Sequence, residues 1–422
     1  MSDINYRVKQ WQPAPRPEWV RKLNEEIGYL DVKSIIPLDS DVLIAKAKAN
    51  TGLRDFGLDD WYEPFKILVK SLDEEAELTP IGRIITCSDL LMHLEARLRI
   101  EDTYRHHPEI NDEHIVSPLF ITGSGRTGTS AILNLLSYDP DSGTPKHWEG
   151  LFPVPPPEKD SYDSDPRIEK ADRRMMQWCR VTPEFQSMHE FDAHIPTEIG
   201  QLALGSFQSI DWSPFYGASP TYNEYMAQRS TVPAFNYTRK ILKLLQWKNP
   251  RKRWLLKSPQ TLRWLPDLFS VYPDVELVWM HRDPIKALAS IVSVMGTIYW
   301  MRSDRKMSEG AIAHQTNPAL LAAQFDMVID QIEGGVLPAR QMHHIQYLDF
   351  IENPIGTVAH LYQEMGAALT ECARSAMMQY LAENPREKRP AHDYSVGESR
   401  QHEQERTLFD RYIEYFKIRS ET

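Results

Sequence analysis

Pro118-Leu-Phe-Ile-Thr-Gly-Ser-Gly-Arg-Thr-Gly-Thr-Ser130 holds three structural signals in one run. Leu119-Phe-Ile121 is a short apolar segment that predicts a buried strand. Gly123, Gly125 and Gly128 follow it. Ser130-Ala-Ile-Leu-Asn-Leu-Leu136 then predicts the start of a helix. Strand, glycine-rich turn and helix together make a phosphate cradle: glycine lets the backbone come close, and free N–H groups at the helix start point at the anion. Arg126, Thr127, Thr129 and Ser130 add side-chain donors. The nucleoside-triphosphatase loop needs Gly, four residues, then Gly-Lys-Ser/Thr. Here the gap from Gly123 to Gly128 fits, but Thr129 stands where the lysine belongs, and the positive charge lies inside the loop at Arg126.

Two more segments repeat the pattern. Trp254-Leu-Leu256 predicts a strand ending at Lys257-Ser258, with a helix after it. Val275-Glu-Leu-Val-Trp-Met280 predicts another, ending in His281-Arg-Asp-Pro284 before a helix from Ile285. A strand that ends in a polar cluster and enters a helix, three times over, predicts an α/β fold with a central parallel sheet and its polar ends on one edge. His344 to Phe350 reads as a late strand and turn. Residues 1–117 read as a helical region packed on or capping the core. Asp39 and Thr79-Pro80 start helices there, and Leu91, Leu94 and Leu98 share one face. Residues 118–422 form the α/β domain in this reading.

The chain has 422 residues, with 41% hydrophobic and 25% charged residues, as expected of a folded globular protein. A net charge of -11 argues against nucleic acid as the main partner. Cys87, Cys179 and Cys372 form no Cys-x-x-Cys pair, so neither a disulfide framework nor a metal site is expected. The first residues lack a signal-peptide core, and no run approaches the ~18 apolar residues of a transmembrane segment. A cytoplasmic location is the expectation, with peripheral membrane contact left open. Oligomeric state is not legible.

An interior-Arg loop, a strand-end lysine and Arg282 with Ser290 suggest a ligand with two separated phosphates. Ser290 lies about two helical turns beyond Arg282. Both can grip one phosphate over that helix start; alternatively, Arg282 pairs with Asp283 or another acid while Ser290 only fills space. Trp212, Phe215, Tyr216 and Tyr222 read either as ordinary core or as the lining of an apolar pocket.

The combination resembles the sulfotransferases that use 3'-phosphoadenosine 5'-phosphosulfate (PAPS). Gly125-Arg-Thr-Gly-Thr-Ser130 is similar to that superfamily's 5'-phosphosulfate loop, and Arg282 with Ser290 to its 3'-phosphate pair. Leu256-Lys-Ser-Pro259, His281-Arg-Asp-Pro284, Tyr347-Leu-Asp349 and His392-Asp-Tyr-Ser395 resemble the family-3 type branch and the tyrosylprotein sulfotransferases. The resemblance implies PAPS as sulfate donor, no metal, and in-line sulfuryl transfer to a hydroxyl or amine. It implies that Gly125, Arg126, Thr127, Gly128, Thr129 and Ser130 hold the 5'-phosphosulfate. Lys257 stabilises the leaving phosphate. Glu149 is the first choice for general base, His189 the second and His147 the third, while Glu198 orients a neighbour. Arg386-Glu-Lys-Arg389 is a guess for a missing 3'-phosphate contact. Trp148, Phe152, Trp212, Phe215 and Tyr216 hint at a small-molecule or lipid acceptor. The rivals are a non-catalytic adenosine bisphosphate-binding protein and a P-loop kinase, the latter opposed by Thr129.

Overall fold

The computed structural model describes residues 6–188, 190, 192–209, 211–305, 316–385 and 399–421. Its centre is a five-stranded sheet in the order β2-β3-β1-β4-β5. The strands are β1 (Leu119–Gly123), β2 (Ser142–Gly143), β3 (Arg253–Lys257), β4 (Glu276–His281) and β5 (Met342–Gln346). Every neighbouring pair is parallel. The expected α/β fold is therefore present. β1 is buried along its whole length, which is why it reads as a continuous apolar run rather than an alternating one.

Strand periodicity sorts the apolar residues onto two faces. Leu119 and Ile121 point to one side with Leu255, Val278 and Met280. They pack on the helices Thr129–Leu136 and Pro354–Glu364 through Leu133, Leu136, Val358 and Leu361. Phe120, Leu256, Leu277 and Trp279 point to the other side. There they meet Ile241 and Leu245 of the helix Val232–Trp247, and Phe325 and Tyr412. Helices on both faces of a parallel sheet give the three layers.

The N-terminal helices start where capping chemistry predicts. Asp39 accepts from the Asp41 and Val42 N–H groups at 3.0 and 2.9 Å, opening Ser40–Thr51. Thr79 accepts from Gly82 N–H at 3.1 Å, opening Pro80–His106. On that long helix Leu90, Leu94 and Leu98 are fully buried, and Leu91 is only partly so. Phe65, Leu68 and Leu72 join them, and the same core takes in Trp212, Tyr222 and Met226 from later in the chain. β5 begins two residues before the expected late strand, and Tyr347–Glu352 is helix rather than turn. No described helix is long and apolar enough to cross a membrane.

A buried ionic knot ties this helical layer to the rest. Arg302, 1% exposed along its side chain, donates to Asp89 at 2.7 Å and to Thr86 Oγ1 at 2.9 Å. Arg174 donates to the other Asp89 oxygen. Gly82 makes room: a Cβ there would collide with the Arg302 carbonyl. Burial pushes the Asp89 carboxyl up, but the two guanidiniums outweigh it and hold it below the ordinary range. Asp89→Asn leaves two buried cations short of a counter-charge and is expected to cost about 3–5 kcal/mol at neutral pH. Because the folded-state value is depressed, the deficit is full above the ordinary carboxylate range and shrinks as pH falls through Asp89's lowered value. Urea unfolding of both proteins at several pH values checks this; an unchanged neutral-pH midpoint contradicts it.

Candidate functional site

β1 delivers the chain into the loop at Gly123, with φ at 154°. A Cβ there would lie 2.7 Å from both the Met280 carbonyl and Thr127 Oγ1. Arg126 and Gly128 take left-handed φ values of 68° and 90°. Thr127 Oγ1 donates to the Ser124 carbonyl at 2.8 Å and closes the turn. Gly128 is the N-cap of Thr129–Leu136 and has no side chain to block the helix start. The loop is thus a backbone nest at the positive end of a helix, a geometry that suits a phosphate or sulfate group.

Neighbouring strands supply the cations. Lys257, at the end of β3, is 3% exposed along its side chain. It donates to Ser130 Oγ at 3.2 Å and to Glu198 Oε1. Arg126 Nε donates to Ser290 Oγ at 2.9 Å, and Nη1 donates to the Met188 carbonyl at 3.1 Å. Arg282, beyond β4, donates to the Arg126 carbonyl at 2.8 Å and stacks over the Tyr347 ring at 4.1 Å. Its ionic partner is Glu421, at 2.9 Å. The acid that Arg282 pairs with is thus Glu421 rather than the neighbouring Asp283, which pairs with Arg406 and accepts from Ile285 N–H at 3.0 Å. Arg126, Ser290 and Arg282 therefore converge on one loop.

In front of the loop lies a cavity of about 790 Å³. Gly125, Arg126, Thr129, Ser130 and Lys257 line it, together with Met175, Trp178, Phe185, Phe215, Tyr216 and Met295. Phe215 and Tyr216 thus take the pocket role, whereas Trp212 and Tyr222 are core. Trp148 is buried against Tyr162 and Arg167 and is not on the wall.

Glu149, the first-choice base, is not on the wall either. It is 0% exposed, sits in the first turn of His147–Leu151, and accepts from Lys146 N–H at 2.8 Å as a helix cap. Burial pushes its carboxyl up, against the pull of that N–H. His147 does line the cavity. His189 lies outside the described residues, as do Arg386-Glu-Lys-Arg389 and His392-Asp-Tyr-Ser395. Two acids that do face the cavity are Glu198 and Asp211. Sequence reasoning gave Glu198 only a supporting role and passed over Asp211, although a lone acid before Trp212 in an apolar, aromatic stretch is a signal of its own.

A family model described as "Sulfotransferase family" matches residues 118–371, more than half of the chain. The chain belongs to the sulfotransferase family. Sulfotransferase STF1 from Mycobacterium tuberculosis H37Rv superposes with a TM-score of 0.74 at 27% identity, over 88% of this chain and 98% of that one. Sulfotransferase STF9 from Mycobacterium avium shares the fold, with a TM-score of 0.78 at 24% identity over 91% and 98%. Among curated relatives, the omega-hydroxy-beta-dihydromenaquinone-9 sulfotransferase Stf3 of Mycobacterium bovis and of Mycobacterium tuberculosis is 23% identical over 283 residues. That alignment spans 63% of this sulfotransferase and 67% of the relative. The protein is an enzyme of sulfuryl transfer.

The loop's left-handed turn yields a direct test. Gly128→Ala puts a side chain at φ 90° and 2.9 Å from the Tyr347 ring. It is expected to lose about 1–3 kcal/mol of stability. Urea unfolding reads this out, and an unaltered midpoint contradicts the turn described here.

Proposed function

We propose that this sulfotransferase moves the sulfuryl group of PAPS to a hydroxyl of a small, apolar, lipid-like acceptor. The observation that carries the proposal is the cavity's lining: the cationic, hydroxyl-bearing glycine loop shares it with aromatic and methionine side chains. The Stf3 relatives, named for a menaquinone-derived substrate, support an acceptor of this kind.

PAPS enters as a substrate and brings an activated sulfur bonded to a phosphate leaving group. The chain's own residues do the rest. Arg126, Thr127, Thr129, Ser130 and the loop N–H groups bind and orient the 5'-phosphosulfate. Lys257, beside Ser130 at the end of β3, stabilises the charge that builds on the leaving phosphate. Glu198 holds the Lys257 ammonium in place until a phosphate oxygen replaces it. Arg282 and Ser290 recognise the 3'-phosphate, with Tyr347 keeping the Arg282 guanidinium flat and Glu421 giving way to the anion. The apolar wall orients the acceptor and keeps water from competing with its hydroxyl. The acceptor's proton goes to an acid on the cavity wall.

Three outcomes test the reading. Adenosine 3',5'-bisphosphate is expected to raise Tm, and ATP with magnesium to raise it much less; equal stabilisation by ATP contradicts the donor assignment. Arg282→Ala is expected to weaken binding of the bisphosphate by about 10- to 100-fold, and of adenosine 5'-monophosphate far less. Titration calorimetry measures both, and equal losses contradict the 3'-phosphate role. Lys257→Ala is expected to lower kcat by about 10²–10³-fold in a labelled-PAPS assay. Unchanged turnover contradicts the part given to Lys257.

A further inference from the structure

Asp211 shares the cavity wall with Asp89, Glu190, Glu198 and Glu224, and no role above absorbs it. Its position is built from both sides along the chain. Its N–H donates to Ser209 Oγ at 3.2 Å. The next residue, Trp212, is locked in the core, its indole donating to the Leu204 carbonyl at 3.0 Å. The Asp211 carboxylate fits into the notch left by Gly200, where any Cβ would collide with Oδ2. Gly200 belongs to the short helix Ile199–Ala203, whose N-cap is Glu198, the partner of Lys257. The same short helix therefore carries the partner of Lys257 and the notch that seats Asp211.

Asp211 also touches a second space. A side chamber of about 50 Å³ shares Asp211 with the main cavity and is lined by Gln208, Ser209, Thr231, Thr238, Ser258 and Gln260 among others. The carboxyl of Asp211 thus lies between the main cavity and this mostly apolar chamber.

We propose that Asp211 is the general base of sulfuryl transfer. The proposal rests on the sulfotransferase reading above. As the acceptor oxygen bonds to sulfur, its proton passes to the Asp211 carboxylate. The bond from sulfur to the bridging oxygen breaks, and its electron pair stays with the leaving phosphate. Glu198, by contrast, is engaged by the Lys257 ammonium. The charged and titratable groups around Asp211 are Glu198, Lys257, Tyr216 and Tyr222. Burial pushes both tyrosines up, so they stay neutral. Burial and then the Glu198 charge push Asp211 up to about 7, against the opposing pulls of Ser209 and Lys257. A base with that value is half ionised near neutral pH, where proton abstraction is most effective.

The test is Asp211→Asn, assayed with PAPS and naphthol as the acceptor probe across pH, alongside the Tm shift given by adenosine 3',5'-bisphosphate. The expected result is a kcat lower by about 10²-fold or more, with loss of the activity rise centred near pH 7 and an unchanged bisphosphate shift. Glu198→Gln should keep a pH rise, moved to lower pH because a charge that raises Asp211 is gone. An acid whose folded value is raised makes the fold less stable as pH climbs from its ordinary value to the raised one, and the loss persists above that. Asp211→Asn should therefore melt no lower than wild type at pH ~8, whereas a purely structural aspartate would give a lower Tm. Independently of any variant, aspartate labelled with carbon-13 at the carboxyl should show one residue titrating near neutral pH in the wild-type protein. Retention of both rate and pH rise in Asp211→Asn overturns the proposal, as does the absence of any aspartate titrating above about pH 5. Failure of the wild type to bind the bisphosphate or to use PAPS overturns the donor reading instead, and the base assignment falls with it.

Discussion

Parallel pairing on both sides of β1 is the constraint on which the site depends. Neighbouring strands lie about 4.8 Å apart, so the exits of β3, β1 and β4 fall within about 10 Å of one another. The register aligns Ile121 with Lys257 and Gly123 with Met280. The loop therefore leaves the sheet with the Lys257 ammonium on one flank and Arg282 on the other. Ser130 receives the first, and the Arg126 carbonyl receives the second. No long-range loop has to fold back to assemble this set of donors; sheet geometry does it.

Three cations concentrated in a partly buried space cannot stand alone, because unpaired buried charge is strongly unfavourable. Lys257 leans on Glu198 and Arg282 on Glu421, while Arg126 is tethered to Ser290. Under the proposed function, an incoming phosphate exchanges with Glu198 and Glu421 rather than filling an empty positive hole. The exchange keeps the cations oriented before the substrate arrives, and it sets affinity by the difference between two sets of contacts. The same logic explains the two acids near Lys257. One is tied down as its counter-ion, and the other is left with a carboxyl that burial makes basic.

The parts of the fold written in local sequence were legible. β1 with its loop, the strands ending at Lys257 and His281, and the caps at Asp39 and Thr79 all follow from adjacent residues and short-range geometry. Leu90 in place of Leu91, and helix in place of turn at Tyr347, are shifts within that local frame. The relations that failed to show were long-range. The partner of Arg282 is Glu421, 139 positions away, and the notch that seats Asp211 is made by Gly200 on a different segment. Glu149 shows a third kind of limit. Its distance from the loop suggested catalysis, but the short helix His147–Leu151 turns its carboxylate back onto its own N-terminus. Spacing along a chain does not say which face of a helix meets the cavity.

The central claim is that a phosphosulfate held at residues 123–130 gives its sulfuryl group to a hydroxyl seated in the adjoining apolar cavity. The most direct measurement is transfer from sulfur-labelled PAPS to a panel of acceptors graded from sugars through phenols to prenylated alcohols, with products identified by mass spectrometry. The account predicts label on the hydroxyl of the apolar members and little or none on the sugars. Label confined to the sugars, or no transfer to any hydroxyl while the bisphosphate still binds, would contradict it.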